Sequence, residues 1–310
     1  MLVTFGASGL RLSPPGKGRL ETAPTYEVTV TGAASNAAIA AARLGTEAVW
    51  LSKLPGSPLG RRVAGAIRDH GVDVEAVRGP GRVGVRYVER GARPRPDASI
   101  EDRSRTAVAD VSAEEFPLDR VRDARMLYVT GAPMDLSTEV VRTTAALLRT
   151  AGEAGVRTAF GLRHRGDWSL ADARETFEGL FSAIDVLLTG EPVLREVFAR
   201  GEDTPPEMAH AMGAAHGFAQ VVLLRDRGGL VWADNTVNEV TAPEVDEVDP
   251  GGAADAFAGA YLAGILDGSG VDAALDDAVA AATLARTTPG DLPTVTPEEV
   301  AALRERMRTG

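Results

Sequence analysis

The sequence predicts an α/β fold: a mostly parallel central sheet carrying helices, with a small β-structure set to one side. Three observations lead there. Short apolar runs alternate with helical patterns along most of the chain, the order that parallel βα units leave in a sequence. Two stretches in the first third break that rhythm with extra strands. The chain has 310 residues, enough for one large domain whose core needs no disulfide or metal to hold it.

The alternation reads as strands at Leu2–Gly6, Ala48–Lys53, Met126–Thr130, Thr158–Leu162, Val186–Thr189 and Val221–Arg225. Between and after them, helical spacing covers Ala34–Leu44, Leu59–His70, Thr138–Ala154, Ala171–Leu180, Pro206–Gly217, Ala253–Asp267, Ala273–Ala285 and Pro297–Arg306. Ser57-Pro58 opens one helix, and Gly71 and Gly155 close two others. The first break, residues 11–32, reads as a loop followed by a strand at Tyr26–Val30. The second, residues 82–103, reads as strands Val83–Glu89 and Ala98–Asp102 around the turn-rich Gly91–Asp97. These two inserts predict a lid over a cleft, within a single domain spanning 1–310. A hairpin is predicted from Leu230–Ala233 and Val237–Thr241 around Asp234-Asn235.

Composition removes several functions. The chain contains no cysteine, which excludes disulfides, thiolate metal sites and thiol catalysis. Its four histidines, at 70, 164, 210 and 216, show no ligand spacing, so no protein-held metal is expected. A net charge of −11 argues against nucleic acid or a membrane surface as partner. Of the 33 basic residues only Lys17 and Lys53 are lysines, leaving 31 arginines. No apolar run approaches the roughly 18 residues of a membrane span, and the opening MLVTFGASGLRLSPP lacks a signal-peptide pattern. A cytoplasmic protein is the expectation.

The most informative segment is Asp249-Pro250-Gly251-Gly252-Ala253-Ala254-Asp255-Ala256-Phe257, which leads into a long helix of small residues. Paired glycines before a helix leave backbone N–H groups unpaired and pointing one way; with the helix dipole they make an anion site. Asp255 falls in the first turn, beside whatever that site holds. A carboxylate there suits deprotonation of a hydroxyl attacking phosphorus, or it is simply an acid favoured at a helix start. The segment is no Walker A loop, since it lacks the lysine.

This segment resembles the C-terminal signature D-T-x-G-A-G-D-x-F of the ribokinase-like (PfkB) sugar kinase family, with Asp249, Gly252, Ala253, Asp255 and Phe257 in register. Thr31-Gly32-Ala33-Ala34-Ser35-Asn36, followed by Ala40-Ala41-Ala42-Arg43-Leu44-Gly45, resembles its N-terminal signature, and Leu51–Gly60 its G-x-D-x-x-G region. The opening Gly6…Leu10-Arg11-Leu12-Ser13 looks most like the 2-keto-3-deoxygluconate kinase branch. The resemblance covers about residues 2–292.

It implies a three-layer α/β/α fold and an ATP- and Mg2+-dependent phosphorylation of a sugar or sugar acid at a primary hydroxyl. Asp255 would be the catalytic base, and Gly252, Ala253 and Ala254 the anion hole. Gly32 and Asn36 would face the sugar. By alignment with the branch, Arg103 and Arg165 would hold a substrate carboxylate, as an arginine fork can. Paired lids would make a homodimer.

The chain also departs from the family pattern. Ala254 replaces the last glycine of G-A-G-D, a change that needs a negative φ. The N-x-x-E motif aligns with Gly190-Glu191-Pro192-Val193, and the nucleotide-side T-x-G-x-x-G with Leu223-Leu224-Arg225-Asp226-Arg227-Gly228. Leu223 and Arg225 take the places of the threonine and first glycine, and Glu191, Arg225 and Gly228 are the candidate nucleotide-side residues. On the sugar side Gly161 replaces an aspartate, Arg163 an asparagine, and Arg86 and Glu101 two lid tyrosines. If Arg86 and Arg163 both face the cleft, its cationic surplus suits a more anionic, already phosphorylated sugar. These losses also motivate a second reading: a catalytically impaired member serving as a sugar-acid or nucleotide-binding or partner protein.

Overall fold

The computed structural model describes residues 1–164 and 168–309. In chain order its strands are β1 (Leu2–Phe5), β2 (Gly9–Ser13), β3 (Glu27–Thr31), β4 (Ala48–Pro55), β5 (Asp73–Gly79), β6 (Gly84–Glu89), β7 (Ala98–Asp102), β8 (Met126–Thr130), β9 (Arg157–Gly161), β10 (Val186–Gly190), β11 (Gln220–Arg225), β12 (Gly228–Ala233) and β13 (Thr236–Val240). One sheet runs β13-β12-β11-β10-β9-β8-β1-β4-β5. Pairing is parallel from β5 through β11 and antiparallel in the terminal β11-β12-β13 meander.

Alternation along the parallel strands supplies two apolar faces, as burial on both sides demands. Val3, Phe5, Leu127, Val129, Leu187, Val221 and Leu223 face the helices Thr138–Glu153, Leu170–Phe181, Glu191–Val197 and Pro205–His216. Leu2, Met126, Tyr128, Val186, Leu188 and Val222 face Ala33–Arg43, Ala253–Asp267, Val271–Ala285 and Pro297–Thr309. Each such side chain contributes about 1.5–3 kcal/mol on burial. The predicted three-layer α/β/α architecture is therefore the observed one.

Small residues let two helices of the second face approach closely. A Cβ on Gly259 would lie 2.3 Å from the Ala37 carbonyl oxygen and 2.6 Å from the Ala40 methyl. This close crossing is what carries Asn36, on the helix Ala33–Arg43, toward the start of Ala253–Asp267.

The second sheet, ordered β3-β2-β6-β7, shares a cleft lining with the segments that follow β1 and β8. Its interior strand β2 extends over residues 11–13, expected to be loop, and pairs antiparallel with β3 and parallel with β6. The main sheet likewise gains an edge strand, β5, where none was expected. Helix punctuation follows the sequence: the Ser57 hydroxyl accepts from Gly60 N at 3.2 Å, and Gly71 and Gly155 take positive φ.

Candidate active site

The site lies where β1, β8 and β9 end and Ala253–Asp267 begins, at the carboxyl edge of the parallel strands, where α/β sheets present their ligands. Gly252 has φ 74°, and a Cβ there would meet the Asp291 carbonyl oxygen at 2.1 Å, so glycine is required on both counts. The Gly251 amide is occupied by Asp249 Oδ1 at 2.9 Å. Ala253 N reaches Pro250 O at 3.4 Å. Among the described residues, the Gly252 and Ala254 amides have no protein acceptor. Two such N–H groups at a helix start are the arrangement the glycine pair led one to expect. Ala254 lies within the helix at negative φ, which satisfies the condition its methyl imposes.

Asp255 sits in that first turn. Its Oδ1 accepts from Arg163 Nη2 at 2.9 Å and its Oδ2 from Asn36 Nδ2 at 3.0 Å. The same Asn36 nitrogen reaches the Asp291 carbonyl oxygen at 3.1 Å. Arg163 comes from the segment following β9, so three distant stretches of chain converge on one carboxylate.

From this point two contiguous clefts run beneath the second sheet. The one at the anion turn is bordered by Arg163, Gly252, Ala254 and Asp255, and it shares Thr31, Ala33, Arg86 and Ala132 with its neighbour. That neighbour is lined by Gly32, Glu101 and Arg103 together with the apolar Leu10, Leu54, Val108 and Leu136. Gly32 is tightly enclosed, since a Cβ would lie 2.3 Å from Ser8 Oγ. Arg86 and Glu101 are direct cross-strand partners on β6 and β7, with Nε 3.2 Å from Oε1. Arg103 lines the cleft with its guanidinium already on Asp135, at 3.0 and 2.5 Å, and on Ala132 O at 3.2 Å. Arg165 lies outside the described residues.

The nucleotide-side positions separate from this group. Arg225 Nη1 bonds Glu239 Oε2 at 2.6 Å, and its Nε lies 3.7 Å from Glu191 Oε2. Glu191 also accepts from Arg195 at 2.8 Å. Gly228 opens β12 at φ 117°, where a Cβ would strike the Val240 carbonyl oxygen at 1.9 Å; the hairpin itself requires this glycine. Leu223 is fully buried in the core.

One departure has a steric cause. At Gly161, where the resemblance expects an aspartate, a Cβ would meet the Tyr128 hydroxyl at 2.2 Å. Among the described residues that buried hydroxyl has no hydrogen-bond partner, and burial, reinforced by Asp255 and opposed by Arg163, pushes its pKa far above the usual phenol value.

Sequence reasoning missed Asp291 and gave Arg11 no role. Arg11, on β2, is buried; its Nη2 bonds Asp249 Oδ2 at 2.5 Å, its Nη1 bonds Asp291 Oδ1, and its Nε donates to Ser13 Oγ at 3.1 Å. Burial alone would lower its pKa, but Asp291 and Asp249 outweigh that and hold it above the ordinary arginine value. Thr31 Oγ1 donates to Asp291 Oδ2, and Arg86 Nη1 lies 3.8 Å from the same oxygen. The one available signal was a charged residue inside the Leu10-Arg11-Leu12 alternation.

An α/β body with an anion turn, an adjacent carboxylate and a lidded cleft defines a phosphotransferase-type architecture. The model of the pfkB family carbohydrate kinases matches residues 1–298, and the chain belongs to that family. It is 45% identical to a 2-dehydro-3-deoxygalactonokinase of Haloferax volcanii over 96% of this chain and 95% of the relative. It is 30% identical to a 2-dehydro-3-deoxygluconokinase of Thermoproteus tenax, over 94% and 89%. The crystal structure of the 2-dehydro-3-deoxygluconokinase of Thermotoga maritima superposes with a TM-score of 0.92, covering 98% of this chain and 99% of that one at 29% identity.

Proposed function

We propose that this chain transfers the γ-phosphoryl group of ATP to the terminal primary hydroxyl of a 2-dehydro-3-deoxy sugar acid. The observation that carries this is Asp255 placed in the same helical turn as two amides that have no acceptor among the described residues, on the lining of a cleft that continues beneath the second sheet. In this reading the amides of Gly252 and Ala254, with Ala253 between them, hold the migrating phosphoryl oxygens. Asp255 takes the proton from the acceptor hydroxyl as its oxygen attacks phosphorus. The bond to the bridging oxygen breaks, and its electron pair leaves with ADP. Arg163, resting on Asp255, is within the same cleft and turns to the phosphoryl oxygens as charge builds there. Gly32 and Asn36 border the acceptor. Arg86, Arg103 and Arg165 receive the substrate carboxylate, with Asp135 holding the Arg103 fork in place.

The relatives named above are kinases for acids of this class, and the electrostatics agree. Asp255, Glu101 with Asp291, and Asp135 neutralise much of the charge on Arg163, Arg86 and Arg103. That balance suits a singly charged acid better than an already phosphorylated sugar. ATP fits the open amides. Mg2+ fits the protein less well: Glu191 is directed at Arg195 and Arg225, and no cluster of three or more histidine or acidic residues that could hold an ion occurs among the described residues. No residue is assigned to the metal and no step passes through it. Arg225, Gly228 and Glu191 border the nucleotide in this reading as scaffold rather than as phosphate ligands. The impaired-member alternative is not favoured, because Asp255 and the helix-start amides lie on one cleft and relatives matched over nearly their full length are kinases.

The same reading treats 1–310 as one domain whose lid is formed by about 11–32 and 82–103. The exposed Tyr26, Val28 and Ile100 of the lid would serve a lid-to-lid homodimer, which light scattering tests directly. Among the described residues no helix is long and apolar enough to cross a membrane, and a cytoplasmic site of action goes with ATP as donor. The deciding experiment is ADP release with 2-dehydro-3-deoxygalactonate and 2-dehydro-3-deoxygluconate, run beside Asp255→Asn. Equal release by the two proteins would end the proposal.

A further inference from the structure

We propose that Arg11 is a positioning residue for phosphoryl transfer: its buried guanidinium, reaching in from lid strand β2, holds Asp249 and Asp291 together and thereby sets the anion turn beside Asp255. The inference rests on the kinase reading above and adds a residue that does not itself meet the reacting atoms.

Two short paths lead from this guanidinium to the chemistry. On the first, Arg11 Nη2 holds Asp249 Oδ2 at 2.5 Å, and Asp249 Oδ1 accepts the Gly251 amide at 2.9 Å, which fixes the turn. On the second, Arg11 Nη1 holds the Asp291 carboxylate; the Asp291 carbonyl oxygen accepts Asn36 Nδ2 at 3.1 Å, and that nitrogen donates to Asp255 Oδ2 at 3.0 Å. The turn packs directly on the pair. A Cβ on Gly251 would lie 2.3 Å from Asp291 Oδ1 and 2.6 Å from Arg11 Nη1. Asp249 and Asp291 are 5% and 3% exposed, and without a cation between them two such carboxylates repel.

A purely stabilising role is a weak explanation, because desolvation cancels much of what a buried ion triad gains. A planar fork with two fixed bonding directions gives geometry that a point charge does not. Arg86, 3.8 Å from Asp291, and Arg90, 3.8 Å from Asp249, still face the two carboxylates when Arg11 is shortened, so such a variant keeps partial neutralisation.

The test compares full-length wild type, Arg11→Ala and Arg11→Lys in steady-state ADP release with the preferred sugar acid. Guanidinium chloride is then added at about 50 mM against a sodium chloride control of equal ionic strength. Misplacement on the scale of 1 Å costs about 100-fold, so Arg11→Ala should lose about 100-fold in kcat with smaller changes in KM. Guanidinium should restore about tenfold of that, saturably, in Arg11→Ala, and nothing in wild type or Asp255→Asn. Arg11→Lys should lose about tenfold, because one ammonium cannot satisfy both forks. A folded Arg11→Ala with wild-type kcat, or a loss confined to KM, or no guanidinium rescue, overturns the proposal. Should Arg11→Ala fail to fold, Arg11→Lys decides: wild-type kcat overturns it, and a tenfold loss with an unchanged circular dichroism spectrum upholds it. A wild type that releases no ADP brings down the kinase reading and this inference together, whereas an active wild type with unaffected variants brings down this inference alone.

Discussion

The surroundings of Asp255 and the positions aligned with the family's nucleotide contacts are built on different terms. Around Asp255, side chains of Asn36 and Arg163 converge on the carboxylate, and among the described residues the neighbouring Gly252 and Ala254 amides have no acceptor. Away from the cleft at Asp255, the positions aligned with family phosphate contacts are engaged within the protein: Glu191 with Arg195, Arg225 with Glu239, Leu223 within the core. The contrast teaches where erosion of a motif is tolerable. Backbone donors survive substitution of neighbouring side chains, whereas a side-chain contact disappears with its residue.

Four substitutions test that contrast. Asp255→Asn should have the largest effect, a fall in kcat of about 1,000-fold in the ADP-release assay, since a general base contributes 10² to 10⁴. Arg163→Met should follow, at about 100-fold in kcat with the sugar-acid KM changed less than about threefold, as expected for a cation acting on developing charge. Gly259→Leu should lower stability by about 1–3 kcal/mol in denaturant unfolding, because it drives apart the helices that carry Asn36 and Asp255. Its kcat should fall too, tying the helix crossing to the site. Arg225→Met should do least. Its two ion pairs are partly exposed and worth about 0.2–1 kcal/mol each, so the KM for ATP should stay within about threefold of wild type. A tenfold rise in that KM would break the comparison and return Arg225 to the nucleotide.

Much of the fold was legible in the sequence because burial on both faces leaves long apolar runs, as at Met126–Thr130, where strand and expectation coincide. β5 was missed since its residues Asp73, Glu75 and Arg78 interrupt any such run; an edge strand with intermediate burial has no apolar signature to show. β2 was missed for a related reason, its centre being an arginine. The anion turn and Asp255 were legible because they are contiguous in sequence. Asp291 was not, for it meets Arg11, on the second sheet, across 280 residues. Nor does sequence reveal which of 44 acidic residues each arginine faces, so Asp135 on Arg103 and Glu239 on Arg225 emerged only in three dimensions.

The Tyr128–Gly161 contact ties two neighbouring strands into one decision. A side chain at 161 and a phenol at 128 claim the same volume, so reinstating the acid at 161 by itself would force a carboxylate into a space already taken, whatever chemical benefit it offered. The two positions can be exchanged only as a pair, and a route through single replacements passes over either a clash or a void. An engineer wishing to rebuild that corner would have to begin by shrinking the residue at 128.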